Sequence, residues 1–161
     1  YHLGATKIVA DSLSRRPDLR LSLSTTVFRV LGSSLLDEIV RSYQLDPYFS
    51  DLYTYHSTPT SVITDSIAHR IDSYCFNPHN RCLYHIRDDN LRLCVPATPD
   101  PLRQRVIKEA HDSPFTAHPG CNKLYAYISS RFNWRYLQRD VRQFTRTCHS
   151  CQLSKPYRQR S

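Results

Sequence analysis

The chain has 161 residues, enough for one compact domain or for a small domain with tails. A hydrophobic content of 40% with 11% aromatics allows a core, and 3 Gly with 10 Pro exclude a collagen-like or low-complexity chain. No apolar run approaches the roughly 18 residues of a membrane helix, and the first residues lack the basic-then-apolar order of a secretion signal. Because no Met occurs at any position, the sequence reads as a piece of a longer reading frame. The net charge of +8 is concentrated: residues 1–102 hold ten Lys/Arg against eleven Asp/Glu, and residues 103–161 hold twelve against three. The C-terminal third is thus a candidate for a polyanionic partner, with a merely solvated basic surface as the competing explanation.

In chain order, residues 1–20 contain a short helical pattern that ends at Arg15-Arg16-Pro17, and the Ser/Thr-rich stretch after it marks a boundary. Leu36, Ile39, Val40 and Tyr43 recur at helical spacing, which predicts a helix over 33–45 with Ser33 or Ser34 as its cap and Asp46-Pro47 as its stop. A second short helix is expected over 48–56, and a loop over 57–66. From there the pattern turns to short β-type runs at 72–76, 81–87 and 91–95. Asn77-Pro78-His79-Asn80 and Asp88-Asp89-Asn90 separate them, and the expected form is an antiparallel meander closed by Pro96 and Pro99.

The remainder reads as three helices. Asp100 is expected to cap a helix that starts at Pro101, buries Leu102, Val106 and Ala110, and ends on His111. A second follows the turn His118-Pro119-Gly120 and buries Leu124, Ile128 and Phe132. The third is expected over 135–148. Its Leu137, Val141, Phe144 and Cys148 form an apolar stripe ending on a cysteine. Arg135, Arg139, Arg142 and Arg146 repeat that spacing two residues earlier, roughly 200° around the helix, so one face is buried and the other shows four guanidiniums.

Six Cys would suit a disulfide framework in a secreted protein, but nothing indicates secretion, and a Cys-x-x-Cys pair among eight His favours metal binding. Structural zinc takes four N/S ligands, which small domains supply as two close pairs. Here the pairs are His111-x6-His118 and Cys148-x2-Cys151, with room for two helices between them. One structural Zn²⁺ per chain would tie the first helix to the end of the third and contribute much of the folding energy. The competing explanation is that the four residues are unrelated and His111 only caps carbonyls. A rival set, Cys75, His79, Cys82 and His85, has suitable residue types, but its Cys82 and His85 would face opposite sides of a strand. Cys94 and Cys121 read as small buried hydrophobes, and His149 as exposed.

Residues 106–155 resemble the zinc-binding N-terminal domain of gypsy-type LTR retrotransposon and retroviral integrases. The resemblance rests on His111, His118-Pro119-Gly120, Lys123, Phe132-Asn133-Trp134, Cys148, Cys151-Gln152 and Lys155, with Arg135 where a Pro often follows the Trp. Residues 3–19 are similar to the end of the RNase H domain that precedes integrase in such polyproteins, with Asp11 at the final metal-binding carboxylate and Lys7 in place of an Asn.

The resemblances imply a mainly α fold: a zinc-stabilised three-helix, helix-turn-helix-like domain preceded by a short β meander and a helical linker. The implied organisation is an RNase H remnant at 1–20, a linker with one or two helices at 21–70, the meander at 71–100, the zinc domain at 101–156 and a basic tail at 157–161. A lone Asp11 and the absence of an acidic triad predict no catalysis by this piece. The implied role is nucleic-acid binding and integrase assembly, in the nucleus after a cytoplasmic particle stage. The expected partners are the element's DNA ends, bound with little sequence preference, and other integrase domains or copies, with no membrane. The arginine stripe with Lys155, Arg158 and Arg160 would meet phosphates, and Tyr157 among them could stack on a base. The alternative is a zinc-organised protein-interaction module with no direct DNA contact.

Overall fold

The computed structural model describes residues 31–58, 65–88, 90–113 and 118–153. Helix α1 (Ser33–Ser42) forms as expected, burying Leu35, Leu36, Ile39 and Val40 on one face. Its cap differs. Ser33 is already helical, no side chain caps the helix, and the Gly32 carbonyl accepts the amides of Leu35 and Leu36 at 3.1 and 3.3 Å. After α1, Asp46 organises the stop. Its Oδ1 accepts the amides of Tyr48 at 2.8 Å and Phe49 at 3.3 Å, while its Oδ2 accepts the amide of Ala97 from beyond the sheet. One buried carboxylate therefore joins two distant segments. Helix α2 (Ser50–Ser57) follows with Leu52 and Tyr53 buried, then the short α3 (Asp65–Ala68) with Ile67 buried.

Three strands match the expected meander: β1 (Tyr74–Asn77), β2 (Cys82–Arg87) and β3 (Asn90–Cys94), paired antiparallel in sequence order. Asn77 and Asn80 shape the first turn by accepting the amides of His79 and Cys82 at 3.0 and 3.1 Å. The sheet has a fourth strand that the sequence did not suggest. Phe132–Asn133 forms β4, parallel to β3, with Leu93 opposite Phe132. The Leu93 amide donates to the Arg131 carbonyl at 2.7 Å, and the Val95 amide to the Asn133 carbonyl at 3.1 Å. Phe132 is buried, as expected, but in a strand and not in the helix before it. A two-residue strand carries no period-2 signature to read.

The later helices are α4 (Leu102–Asp112), α5 (Cys121–Ser129), α6 (Leu137–Thr147) and α7 (His149–Leu153). Pro101 is the N-cap of α4 rather than its first residue, and Asp100 does not cap it; the Pro99 carbonyl accepts the Leu102 amide at 3.0 Å instead. Helix α6 starts two residues later than expected, because Tyr136 adopts a left-handed conformation at φ 68° and ψ 21°. Residues 31–58, read from sequence as part of a linker, pack in the same core as the rest. Ile39, Leu83, Leu93, Val106, Leu124, Phe132 and Val141 all belong to one buried cluster. The Tyr43 hydroxyl, fully buried, donates to the Cys94 carbonyl at 2.7 Å and pins α1 to the sheet. The described residues thus form a mainly helical fold with a small sheet, and no helix among them is long and apolar enough to cross a membrane.

Candidate metal centre

His111 sits in the last turn of α4 with its ring buried, because Val106, Ile107 and Ala110 turn that face into the core. His118 lies back against it, its amide donating to the His111 carbonyl at 3.2 Å. His118 itself takes a left-handed φ of 56°, which turns its ring toward His111. The buried stripe of α6 delivers Cys148 to the helix's C-cap, where the backbone becomes extended. The short α7 then carries Cys151 back over the same point, its thiol 3.7 Å from the His118 carbonyl. A short helical turn thus brings the two cysteines of the Cys-x-x-Cys pair to one point.

The four ligand atoms lie within 4.8 Å of one another. His111 Nε2 is 3.1 Å from His118 Nδ1, 3.2 Å from Cys148 Sγ and 3.3 Å from Cys151 Sγ, and Cys148 Sγ is 3.7 Å from His118 Nδ1. A tetrahedron with Zn–N of about 2.0–2.1 Å and Zn–S of about 2.3 Å has edges of about 3.3–3.8 Å. The four distances lie within about 0.4 Å of those edges, close enough for one zinc to be held by all four atoms. Burial lowers the pKa of His111, the neighbouring His118 lowers it further, and Asp112 opposes them. The net direction keeps the imidazole neutral with a lone pair for a metal. The Phe144 ring meets His111 edge-on at 5.3 Å and shields that side. Four protein ligands leave no open position for a substrate, so the chemistry is structural.

The rival set does not gather. In the sheet Tyr74 opposes His85 and Cys75 opposes Tyr84, so His85 lies on the face opposite Cys75 and Cys82, and His79 is exposed in the turn. Burial pushes the thiols of Cys75 and Cys82 up to about 12 and that of Cys94 well above its usual value. Hence brief iodoacetamide treatment of the folded chain at neutral pH should leave these three unmodified while half-buried Cys121 reacts, as mapped by peptide mass spectrometry. Equal labelling of Cys82 and Cys121 would show that the core is not as closed as described. His149 is exposed and stands outside the metal cluster.

Of the basic residues, Arg139, Arg142 and Arg146 are exposed along α6 and line an open groove of about 480 Å³ together with Gln143 and Thr147. Arg135 is exposed but precedes the helix. Arg139 also approaches Asp140 at 3.3 Å, whose other oxygen accepts Trp134 Nε1 at 3.0 Å. Asp11, Lys155, Tyr157, Arg158 and Arg160 lie outside the described residues. Sequence reasoning missed Tyr136, which is 52% exposed with the Arg135 and Arg139 guanidiniums 4.7 and 4.6 Å from its ring centre. Its signal was legible as an aromatic with Arg one residue before and three after.

Comparison with known proteins agrees with this centre. Residues 98–157 match the family described as integrase zinc binding domain. Over 108 residues the chain is 22% identical to human Gypsy retrotransposon integrase-like protein 1, covering 67% of this chain and 20% of that protein. Over 54 residues it is 32% identical to the Transposon Tf2-3 polyprotein of Schizosaccharomyces pombe, covering 34% of this chain and 4% of the polyprotein. The chain thus spans at most about a fifth of the curated relatives it matches. No solved structure matches it. All four residues of the zinc-compatible cluster fall within the matched segment, so residues 98–157 are similar to an integrase zinc-binding domain in the same stretch that gathers His111, His118, Cys148 and Cys151.

Proposed function

We propose that the chain is a nucleic-acid-binding and assembly module of a retrotransposon integrase, acting on the element's DNA in the nucleus. Zinc would join α4 to α6 and α7, closing a three-helix unit whose outward face is basic. The single observation that carries the DNA part is the exposed arginine row on α6. Leu137 and Val141 are buried on the inner side of the helix, while Arg139, Arg142 and Arg146 line the outer groove. No ion pair of Arg142 or Arg146 is found among the described residues. A row of guanidiniums held by a metal-locked helix can neutralise phosphates and release counterions, with no base-reading pattern required.

The assembly part is supported by Leu153, which α7 leaves 74% exposed beside the metal centre. This also favours the second reading, a protein-interaction module in which the arginines are only solvated. The two separate on salt. With about four phosphates engaged, the slope of log affinity for duplex DNA against log salt is expected near −3 to −4, read by fluorescence anisotropy on the zinc-loaded chain. Replacing Arg139, Arg142 and Arg146 with alanine should reduce the slope by about one unit per arginine. A flat salt response in the unaltered chain would sink the DNA reading and leave the protein-interaction one.

A further inference from the structure

Tyr136 is the largest exposed aromatic of the described chain that stands within the basic strip, and its backbone is unusual. A left-handed φ of 68° is uncommon for a bulky aromatic, and such strain persists where the surroundings impose it, often at binding sites. Tyr136 closes the turn between β4 and α6 and leaves its ring outside the core, 52% exposed, where neighbouring Trp134 is buried. The exposed Arg135 and Arg139 guanidiniums lie over the ring, 4.7 and 4.6 Å from its centre, so a base reaches the ring by displacing one of them toward a phosphate. Arg139 is also the first arginine of the α6 groove, so the aromatic and the groove are continuous. From Arg139 to Arg146 the helix rises roughly 10 Å, so the three guanidiniums can meet successive phosphates of one strand.

A duplex hides its base faces in the stack, and a row of arginines alone would not need an aromatic at its end. An unpaired base has a free face. From this the geometry points to a single-stranded segment as the preferred ligand of this strip: backbone phosphates along Arg139, Arg142 and Arg146, and one unstacked base on the Tyr136 ring. This rests on the nucleic-acid reading above and makes it more specific, since a duplex with a single-stranded tail should bind better than a blunt one. Because every base has a π-face, the preference is for strandedness and not for sequence.

The test uses the zinc-loaded chain and three fluorescent probes: a blunt duplex, the same duplex with a short thymidine tail, and the tail alone. Tailed DNA is expected to bind roughly tenfold more tightly than blunt DNA at the same salt, with the same order retained for an RNA tail. Tyr136→Gly removes the ring and suits the left-handed backbone, so thermal stability should be kept or raised while the tail preference disappears. Tyr136→Phe keeps the ring and should keep the preference. Salt-dependent binding with equal affinity for blunt and tailed probes, or a preference that survives Tyr136→Gly, would overturn this inference and leave the nucleic-acid reading intact. Absence of salt-dependent binding to all three probes would overturn both.

Discussion

Replacing Cys148 with serine is expected to lower bound zinc from one per chain to near none and to melt the α4–α6 helices together. The reason is one of scale. A structural zinc contributes on the order of 10–16 kcal/mol of apparent binding free energy at neutral pH, against a net stability of about 5–15 kcal/mol for a whole domain. Cys148 joins the end of α6 to His111 of α4 at 3.2 Å, and Cys151 lies 3.3 Å from the same nitrogen, so loss of one thiolate breaks the link between chain segments 37 residues apart. Zinc content by mass spectrometry under native conditions, with helicity followed by circular dichroism as chelator is added, reads both effects. Cys75→Ala serves as the comparison: its thiol is buried in the sheet away from the cluster, and zinc stoichiometry should be unchanged. Zinc retained at one per chain in Cys148→Ser, but lost in Cys75→Ala, would mean that the metal sits elsewhere.

Phe132→Ala is expected to destabilise the zinc-loaded chain by about 3–5 kcal/mol, seen as a lower midpoint of urea unfolding. Phe132 is 1% exposed and lies where β4 joins the sheet, opposite Leu93. Truncating it removes a large buried ring and leaves a cavity in a core shared by the sheet, α1 and the metal-bearing helices. Because the core is shared, α1, the sheet and the helices around His111 should unfold in one transition. Separate midpoints for sheet and helices, or a loss below about 1 kcal/mol, would show that β4 does not couple them.

The metal ligands were legible in the sequence because zinc chemistry restricts both residue type and spacing. His111, His118, Cys148 and Cys151 are the residues the structure gathers, and the alternation rule that argued against Cys75, His79, Cys82 and His85 holds in the sheet register. The apolar stripe of α6 and the three strands of the meander were legible for the same kind of reason, since each repeats at the period of its element. Helix starts were less legible. The expected caps at Ser33 and Asp100 failed because capping depends on the φ/ψ of a single residue, which composition does not set.

What the sequence by itself determined is the local chemistry: which side chains can hold zinc, which helix faces are apolar, and that positive charge collects after residue 102. Only the tertiary structure decided how those parts join. Phe132 enters a parallel strand, Tyr43 and Asp46 reach across about fifty residues to Cys94 and Ala97, and Tyr136 is turned outward between two arginines. Periodicity and ligand spacing are short-range properties of the chain, readable within a few turns. Strand pairing, buried hydrogen bonds and strained backbone are settled by which distant surfaces meet, and packing overrides local preference there.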